Sequence, residues 1–417
     1  MKAGAGRAEI VLPEGFLPAE GFTVQIDPLH ARALVLEAEA RVAILSVEMT
    51  SLPPEEVAFL RALVSEAAGV PETSCWVTVT HTFSAPHLLP DDALATPKER
   101  AKRELLRCAI RRAAEAAARR AADSLESVTP RVGQSECRIG VNRDVETPEG
   151  FWIGRGDGPT DPVLTVLRLD GPSGGPAAIL THYAVQPSVL DGSMLPEGGK
   201  AVSVDLAGRL SAGLEAKYPG AAALFLLGAA GDQAPMQKAK TAIVKDGKLA
   251  EEDLGAEGLE ILAGLSERMV RDAVRAMEAA KPLDNPDIRV ARTEFTVPGK
   301  AMNPNLKELR PTRVPPYHPD GERGAEVEVI AIGSLALTGV RPELNCVTAR
   351  QIAGRSPYPN TLILTMVNGG AKYMADADSY EKITYGAMNS PFAKGAAEIL
   401  ADEAARLLKM VHGSQTS

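Results

Sequence analysis

Short apolar runs alternate with stretches of helical periodicity along most of the chain. The run 222–227 is apolar at every position and 335–340 at nearly every one, which is typical of strands that are buried on both faces. Each run is followed by small or polar residues, where the chain is expected to turn. The predicted strands span residues 33–38, 41–47, 75–81, 163–169, 177–185, 222–227, 288–297, 326–332, 335–340 and 361–367.

Helices are predicted where apolar residues recur every three or four positions. Thr96-Pro97 is a suitable start for the longest one, because threonine caps a helix and proline fits its first turn. The glycine-rich segment 150–160 is predicted to be a loop. The predicted helices span residues 54–68, 97–125, 202–217, 255–280 and 391–410, with another between 343 and 361.

This order of elements predicts an α/β protein in which mixed β-sheets are flanked by helices. No repeat of solenoid period is present, and the proline-rich segment 311–319 is interpreted as an excursion loop. We therefore expect residues 1–417 to form a single domain.

Composition and charge restrict the partners and the compartment. The formal net charge of −9 argues against nucleic acid as a partner. Four widely spaced cysteines without a CxxC pair argue against a disulfide framework or a thiolate zinc site. Neither a signal-peptide h-region nor a membrane span is recognisable, so a cytoplasmic location is predicted. The sequence leaves the oligomeric state open.

Polar residues follow several of the predicted strands at their carboxyl ends. In open α/β sheets this edge is where ligands bind, so these side chains are candidates for a common site. They are His81, Gln186, Asp232, Glu343, Asn368 and Tyr373.

The order of short motifs resembles the N-terminal catalytic domain of the neutral/alkaline (non-lysosomal) ceramidases and its short bacterial relatives. The resemblance is collinear from Gly6 to Tyr385, and the immunoglobulin-like C-terminal domain of the longer ceramidases is expected to be absent. The motifs are Thr80-His81-Thr82, Val141-Asn142-Arg143, Tyr183-Ala184-Val185, Ser203-Val204-Asp205, 228–232, Pro342-Glu343 and 373–380.

The resemblance implies a zinc-dependent amide hydrolase. The zinc ligands of the family, two histidines, a glutamate and a tyrosine, correspond to His81, Gln186, Glu343 and Tyr373, so that glutamine replaces the second histidine. The catalytic candidates are Arg143, which lines the site, Tyr380, which contacts the reacting group, and Asp232.

Three substitutions distinguish this chain from the family pattern. Gln186 offers a neutral amide where zinc favours nitrogen or sulfur, Phe83 replaces a second histidine near the metal, and Ala234 replaces an active-site serine. Such a ligand set favours a harder cation or none. His182, four residues before Gln186 in the same strand, or His87 could supply the missing imidazole.

Two functions remain open at this point. The first is a ceramidase-like hydrolase of an amide or related acyl bond, dependent on zinc or another divalent cation, with a small-molecule substrate other than ceramide. The second is a non-catalytic relative that binds a small molecule after losing the metal. Metal analysis of the purified protein would distinguish them.

Overall fold

A computed structural model describes residues 1–90, 93–245, 248–301 and 308–413. The helices among them are α1 Pro54–Ala68, α2 Pro97–Asp123, α3 Asp205–Lys217, α4 Glu257–Glu278, α5 Cys346–Arg355, α6 Ala377–Lys382, α7 Tyr385–Met388 and α8 Ala396–Gly413. The strands are β1 Lys2–Glu9, β2 Phe22–Gln25, β3 His30–Glu37, β4 Arg41–Val47, β5 Cys75–Val79, β6 Glu126–Ser127, β7 Thr129–Glu136, β8 Gly140–Asn142, β9 Asp144–Thr147, β10 Gly150–Ile153, β11 Val163–Asp170, β12 Pro176–Tyr183, β13 Lys200–Val202, β14 Ala222–Leu227, β15 Gln233–Pro235, β16 Lys240–Lys245, β17 Lys248–Asp253, β18 Lys281–Pro282, β19 Ile288–Lys300, β20 Pro319–Ile332, β21 Leu335–Val340, β22 Glu343–Leu344, β23 Asn360–Leu364 and β24 Tyr373–Met374.

The larger sheets are all mixed. The first has the strand order β5-β4-β3-β1-β6, the second β14-β12-β11-β7-β18 and the third β19-β20-β21-β23. In each sheet one edge pair is parallel, namely β4 with β5, β12 with β14 and β21 with β23, whereas the other pairs are antiparallel. The predicted fold class, mixed sheets flanked by helices, is confirmed.

Alternating strand residues divide the interior into separate cores. Val35 of β3 packs in the core that includes residues of helices α1 to α4, whereas its neighbours Leu34 and Leu36 face the opposite side. There they meet residues of the second and third sheets, such as Leu224 and Leu337. The three sheets therefore share the core that contains Leu34 and Leu36. Helices α5 and α8 cover the outer face of the third sheet.

Some predicted boundaries are wrong for identifiable reasons. Gly150–Ile153 is strand β10, not loop, because its aromatic and β-branched side chains pair in a hairpin with β9. Helix α3 begins at Asp205, since residues 200–202 pair with β2 as strand β13. Helix α8 begins at Ala396 because the chain from Pro391 first bonds to the end of β19. Strand β5 ends at Val79, which leaves His81 in a turn.

Backbone hydrogen bonds bring the strand ends of different sheets together. The Phe83 amide donates to the Pro187 carbonyl at 3.1 Å, and the Gln186 amide to the Gln233 carbonyl at 3.2 Å. The Gly231 amide donates to the Leu344 carbonyl at 2.9 Å. Segments that carry His81, Gln186, Asp232 and Glu343 are thus fixed to one another. Within the described chain, no helix combines the length and apolarity needed to cross a membrane.

Candidate functional site

His81 has an unusual backbone conformation that directs its ring into the molecule. Its φ of +63° lies in the left-handed region, which is uncommon for residues other than glycine and is found at functional sites. The ring is buried, and its Nδ1 lies 2.5 Å from the Thr50 carbonyl oxygen. Because a carbonyl can only accept, Nδ1 carries a proton, and Nε2 is the ring nitrogen that faces the site.

His81 Nε2 faces a carboxylate. Nε2 lies 3.4 Å from Glu343 Oε2 and has no hydrogen-bond partner. Two buried acceptors at this distance repel each other unless a proton or a cation lies between them. The His81–Glu343 pair is therefore completed either by a second proton on the ring or by a bound cation.

Gln186 is the link between Glu343 and a buried arginine. Its Nε2 donates to Glu343 Oε2 at 2.8 Å, and its Oε1 accepts from Arg143 Nη1 at 2.9 Å. Since the guanidinium can only donate, these two bonds fix the orientation of the amide. The amide oxygen of Gln186 faces Arg143 and its N–H group faces the carboxylate.

Arg143 is surrounded by aromatic rings. Its Cζ lies 5.0 Å from the ring centroid of Tyr373 and 5.6 Å from that of Tyr385. Tyr373 is opposite Glu343 in the β22–β24 pair. The Nε and Nη2 atoms of Arg143 are buried and have no hydrogen-bond partner. Cation–π contacts offset part of the cost of burying this charge, but they leave two N–H donors for an external acceptor.

Burial and the neighbouring charges act in opposite directions on the pKa values of the site. Burial alone would lower the pKa of His81, but the nearby Glu343 carboxylate and the Thr50 carbonyl raise it overall. Burial would raise the pKa of Glu343, and the charge of His81 together with Arg143 lowers it instead. The pKa of Tyr373 is raised by burial, which the charge of Arg143 opposes only in part. The phenol is thus protonated at neutral pH in the absence of another cation.

The structure brings five of the predicted residues together and separates two. The backbone of Asp232 accepts from the Arg143 amide at 2.9 Å, but its side chain has other partners: Oδ1 accepts from the Cys346 amide at 2.9 Å and Oδ2 from Asn142 Nδ2 at 3.1 Å. It lines a cavity of about 800 Å³ together with Asp144 and Asp376. Tyr380 donates its hydroxyl proton to the Phe392 carbonyl, so its oxygen is held by the backbone. The five neighbours are His81, Arg143, Gln186, Glu343 and Tyr373.

Neither alternative histidine is found in this cluster. His182 Nε2 lies 3.0 Å from the Ile363 carbonyl oxygen, on the side of β12 that faces the third sheet. Burial lowers the pKa of His182. His87 is half-exposed and its Nδ1 lies 2.7 Å from Glu20 Oε2. Neither ring replaces the imidazole that Gln186 lacks.

The cluster fits a divalent cation in part. Two ligands that are each about 2.0–2.2 Å from a tetrahedral cation lie roughly 3.3–3.6 Å apart, which agrees with the 3.4 Å between His81 Nε2 and Glu343 Oε2. The Nδ1–H bond to the Thr50 carbonyl is the outer contact that metal-binding histidines commonly make. Gln186 does not fit, because its oxygen is bonded to Arg143. Across the described ranges, no group of three or more His, Cys, Asp or Glu side chains is arranged for a metal ion.

Sequence reasoning missed three neighbours of this cluster. They are Thr50, which orients His81, Tyr385, which packs against Tyr373 with 6.0 Å between centroids, and Trp152, which packs against Tyr385 at 5.5 Å. Thr384-Tyr385 is recognisable as a helix start, since the Thr384 hydroxyl accepts from the Ala387 amide. Nothing in the sequence pattern indicates which way that short helix faces.

The fold is similar to that of two solved ceramidase structures. The structure described as ceramidase complexed with C2 aligns with a TM-score of 0.76 over 99% of this chain and 75% of that chain, at 16% sequence identity. The neutral ceramidase from Pseudomonas aeruginosa aligns with a TM-score of 0.71 over 98% of this chain and 75% of that one, at 18% identity. No protein-family model and no curated protein matches the sequence. The fold is therefore ceramidase-like.

Proposed function

We propose that this chain is a hydrolase that cleaves an amide or related acyl bond in a small molecule at the cluster of His81, Glu343 and Arg143. A divalent cation, zinc or a harder ion, is held by His81 and Glu343 with Tyr373 as a further oxygen donor. The ceramidase-like fold supports the reaction class. The substrate of this proposal is an acylated small molecule other than ceramide.

The observation that carries this proposal is the buried His81 Nε2, which has no hydrogen-bond partner and lies 3.4 Å from Glu343 Oε2. The Thr50 carbonyl fixes the ring so that Nε2 cannot turn away. A cation bound between Nε2 and the carboxylate would replace the second proton of the ring and complete the pair.

The remaining residues act on the substrate and on the carboxylate. Arg143 donates Nε–H and Nη2–H to the carbonyl oxygen of the scissile bond, on which negative charge develops. Gln186 keeps Arg143 and Glu343 in a fixed relation through its two hydrogen bonds. When bound, the cation polarises the carbonyl and lowers the pKa of water. For Tyr380 to contribute, its hydroxyl would first have to leave the Phe392 carbonyl.

The test measures metal content and affinity before activity. Purified protein is analysed by elemental mass spectrometry and titrated with Zn²⁺ and Mn²⁺ by calorimetry, alongside His81→Ala and Glu343→Ala. We expect close to one cation per wild-type chain and a loss of at least ~100-fold in affinity in each variant. His87→Ala is the matched control, since it removes a histidine that is also paired with a glutamate. Equal affinity in all four proteins, or no binding to any, would contradict the proposal.

Activity is then assayed on N-acyl amides and acyl esters of graded chain length, with and without chelator. We expect hydrolysis that is abolished by chelation, restored by the cation and reduced by ~10²-fold or more in Arg143→Met. Metal binding without hydrolysis of any acyl bond would refute the hydrolase and retain the cation site.

A second candidate function is supported by the two unpartnered donors of Arg143. A non-catalytic relative would use them to bind a small carboxylate or other anion without a metal. Calorimetric titration of chelator-treated protein with acetate distinguishes the two. Anion binding that is independent of cation, together with no metal binding, would favour this candidate.

A further inference from the structure

Lys300 is a buried lysine that the candidate mechanism does not use. It ends strand β19 and its side chain is 1% exposed. Its Nζ donates to the Met388 carbonyl at 3.1 Å and lies 4.2 Å from the centroid of the Tyr317 ring. No carboxylate contacts it in the part of the chain that the structure describes. A buried ammonium without a counter-ion is costly and calls for a reason.

The contacts of Lys300 lead directly to the candidate site. Met388 is the last residue of α7, and its carbonyl is one of those that a helix leaves unpaired at its C-terminal end. A cation at this end interacts favourably with the exposed carbonyls. The first residue of the same helix is Tyr385, whose ring packs against Tyr373 and Arg143. One short helix therefore connects the ammonium with the site.

Two further hydrogen bonds join Lys300 and Tyr385 to the chain that follows α7. Its amide donates to the Pro391 carbonyl at 2.9 Å, so the end of β19 is joined to the chain that follows α7. Asn389, which follows Met388, donates from Nδ2 to the Tyr385 hydroxyl at 3.2 Å. A shift of the Met388 carbonyl would thus be transmitted to Tyr385 through its own helix and through Asn389.

We propose that Lys300 is a positioning residue of the candidate site: its ammonium holds the carbonyl end of α7 and thereby keeps the Tyr385 ring against Arg143. Its relevance to catalysis rests on the proposed function. The placement of Tyr385 does not, and can be measured separately.

The charge of Lys300 can be varied within an accessible pH range. Burial lowers the pKa of Lys300 to about 8. The groups facing it are the Tyr317 ring and, next to that ring at 5.7 Å between centroids, Tyr380. Burial raises the pKa of Tyr317 to about 12, with Glu381 adding to the rise. Both phenols thus stay neutral while the amine loses its proton.

Trp152 is a reporter for Tyr385, since its ring packs edge-to-face on that ring. The chain contains two tryptophans, and the other, Trp76, is buried and hydrogen-bonded to Glu328, so it serves as an internal reference. Fluorine NMR of the full chain labelled with 5-fluorotryptophan gives one resonance for each. We expect the Trp152 resonance to shift in a single transition with a midpoint near pH 8.

The variants test whether the charge of Lys300, and not only the bulk of its side chain, positions Tyr385. In Lys300→Met the Trp152 resonance should stay near its high-pH position at every pH, and in Lys300→Arg near its low-pH position. Lys200→Met is the matched control, because Lys200 Nζ also lies over a ring, 4.1 Å from the Phe22 centroid, and this variant should retain the transition.

An unchanged transition in Lys300→Met, or no transition in the wild-type chain, would overturn the proposal. If Lys300→Met does not fold, Tyr317→Leu decides: it keeps the lysine but removes the cation–π contact, so the midpoint should fall. An unmoved midpoint would also count against the proposal. Because no substrate is involved, the result stands even if the chain proves to have no hydrolase activity.

Discussion

Two buried arginines of this protein, Arg32 and Arg143, differ in how their N–H groups are used. Arg32 donates from Nε and Nη2 to Glu215 at 2.8 and 3.2 Å, and from Nη1 to Glu48. Glu48 accepts a further bond from the His30 amide at 2.6 Å. Arg143 donates from Nη1 to Gln186, and its Nε and Nη2 have no hydrogen-bond partner.

The difference separates a structural charge from a functional one. The partners of Arg32 are Glu48, which follows β4, and Glu215 of α3, which also pairs with Arg7 of β1, so the network joins the first sheet to α3. We call it the closed network because every side-chain nitrogen of Arg32 has a carboxylate partner. The site around Arg143 holds the same kind of charge at the same depth but leaves donors unused. A protein keeps such a group when something outside the chain completes it.

The largest expected effect comes from breaking the closed network. Arg32→Met leaves Glu48 and Glu215 buried without their shared cation, so the free energy of unfolding should fall by about 3–5 kcal/mol. Arg143→Met removes a charge that has one hydrogen bond, and should change stability by no more than about 1 kcal/mol. Urea denaturation followed by circular dichroism measures both.

Equal losses in the two variants would abolish the distinction between the arginines. A loss confined to Arg143→Met would reverse it, and would make Arg143 part of the scaffold. Arg119→Met serves as the control for removing an arginine, since Arg119 pairs with Glu115 on the exposed face of α2 and its loss should have the smallest effect of the three.

The sequence predicted the parts of this site that depend on strand ends and could not predict those that depend on orientation. His81 and Glu343 follow apolar runs. Because ligands bind at the carboxyl ends of strands in open α/β sheets, the two residues are expected to lie near each other. Arg143 and Gln186 are bonded across 43 positions, and only the packing of the β8–β15 ribbon against the end of β12 brings them together. Lys300 follows Val297-Pro298-Gly299 at the end of a strand, and nothing in that pattern distinguishes it from an exposed lysine.

The next largest effect should come from replacing the single partner of Arg143. In Gln186→His an imidazole can turn toward the His81–Glu343 pair, and Zn²⁺ affinity should rise by about 10–100-fold because nitrogen is a better zinc donor than an amide. Calorimetric titration of chelator-treated protein measures the change. Gln233→His is the matched control, since Gln233 is equally buried but bonds to the Pro159 carbonyl. A similar gain in both variants would show that the imidazole acts outside the site.

A smaller effect is expected from titrating the carboxylates of the closed network. Burial would raise the pKa of Glu215, but the hydrogen bonds and charge of Arg32 lower it below the ordinary value of 4.5. Its contribution to stability is therefore complete above pH 4.5 and disappears as the pH falls through the folded-state pKa. Glu215→Gln should flatten the acid limb of the stability curve. If the wild-type chain and the variant lose stability in parallel, Glu215 does not carry this dependence.

The smallest effect should appear at Arg143. It tests whether a ligand can use the N–H groups of Arg143 that have no partner in the protein. A small carboxylate that bonds to the free N–H groups of Arg143 binds only the folded chain. At a concentration of ten times its Kd, acetate should stabilise the wild-type protein by about 1.4 kcal/mol. The same acetate should have no effect in Arg143→Met at equal ionic strength, whereas Arg119→Met should respond like the wild type. Arg143→Lys should respond weakly, because an ammonium cannot offer the paired geometry of the guanidinium. Stabilisation that persists in Arg143→Met would mean that acetate acts elsewhere, and the two unused donors would then need water alone to complete them.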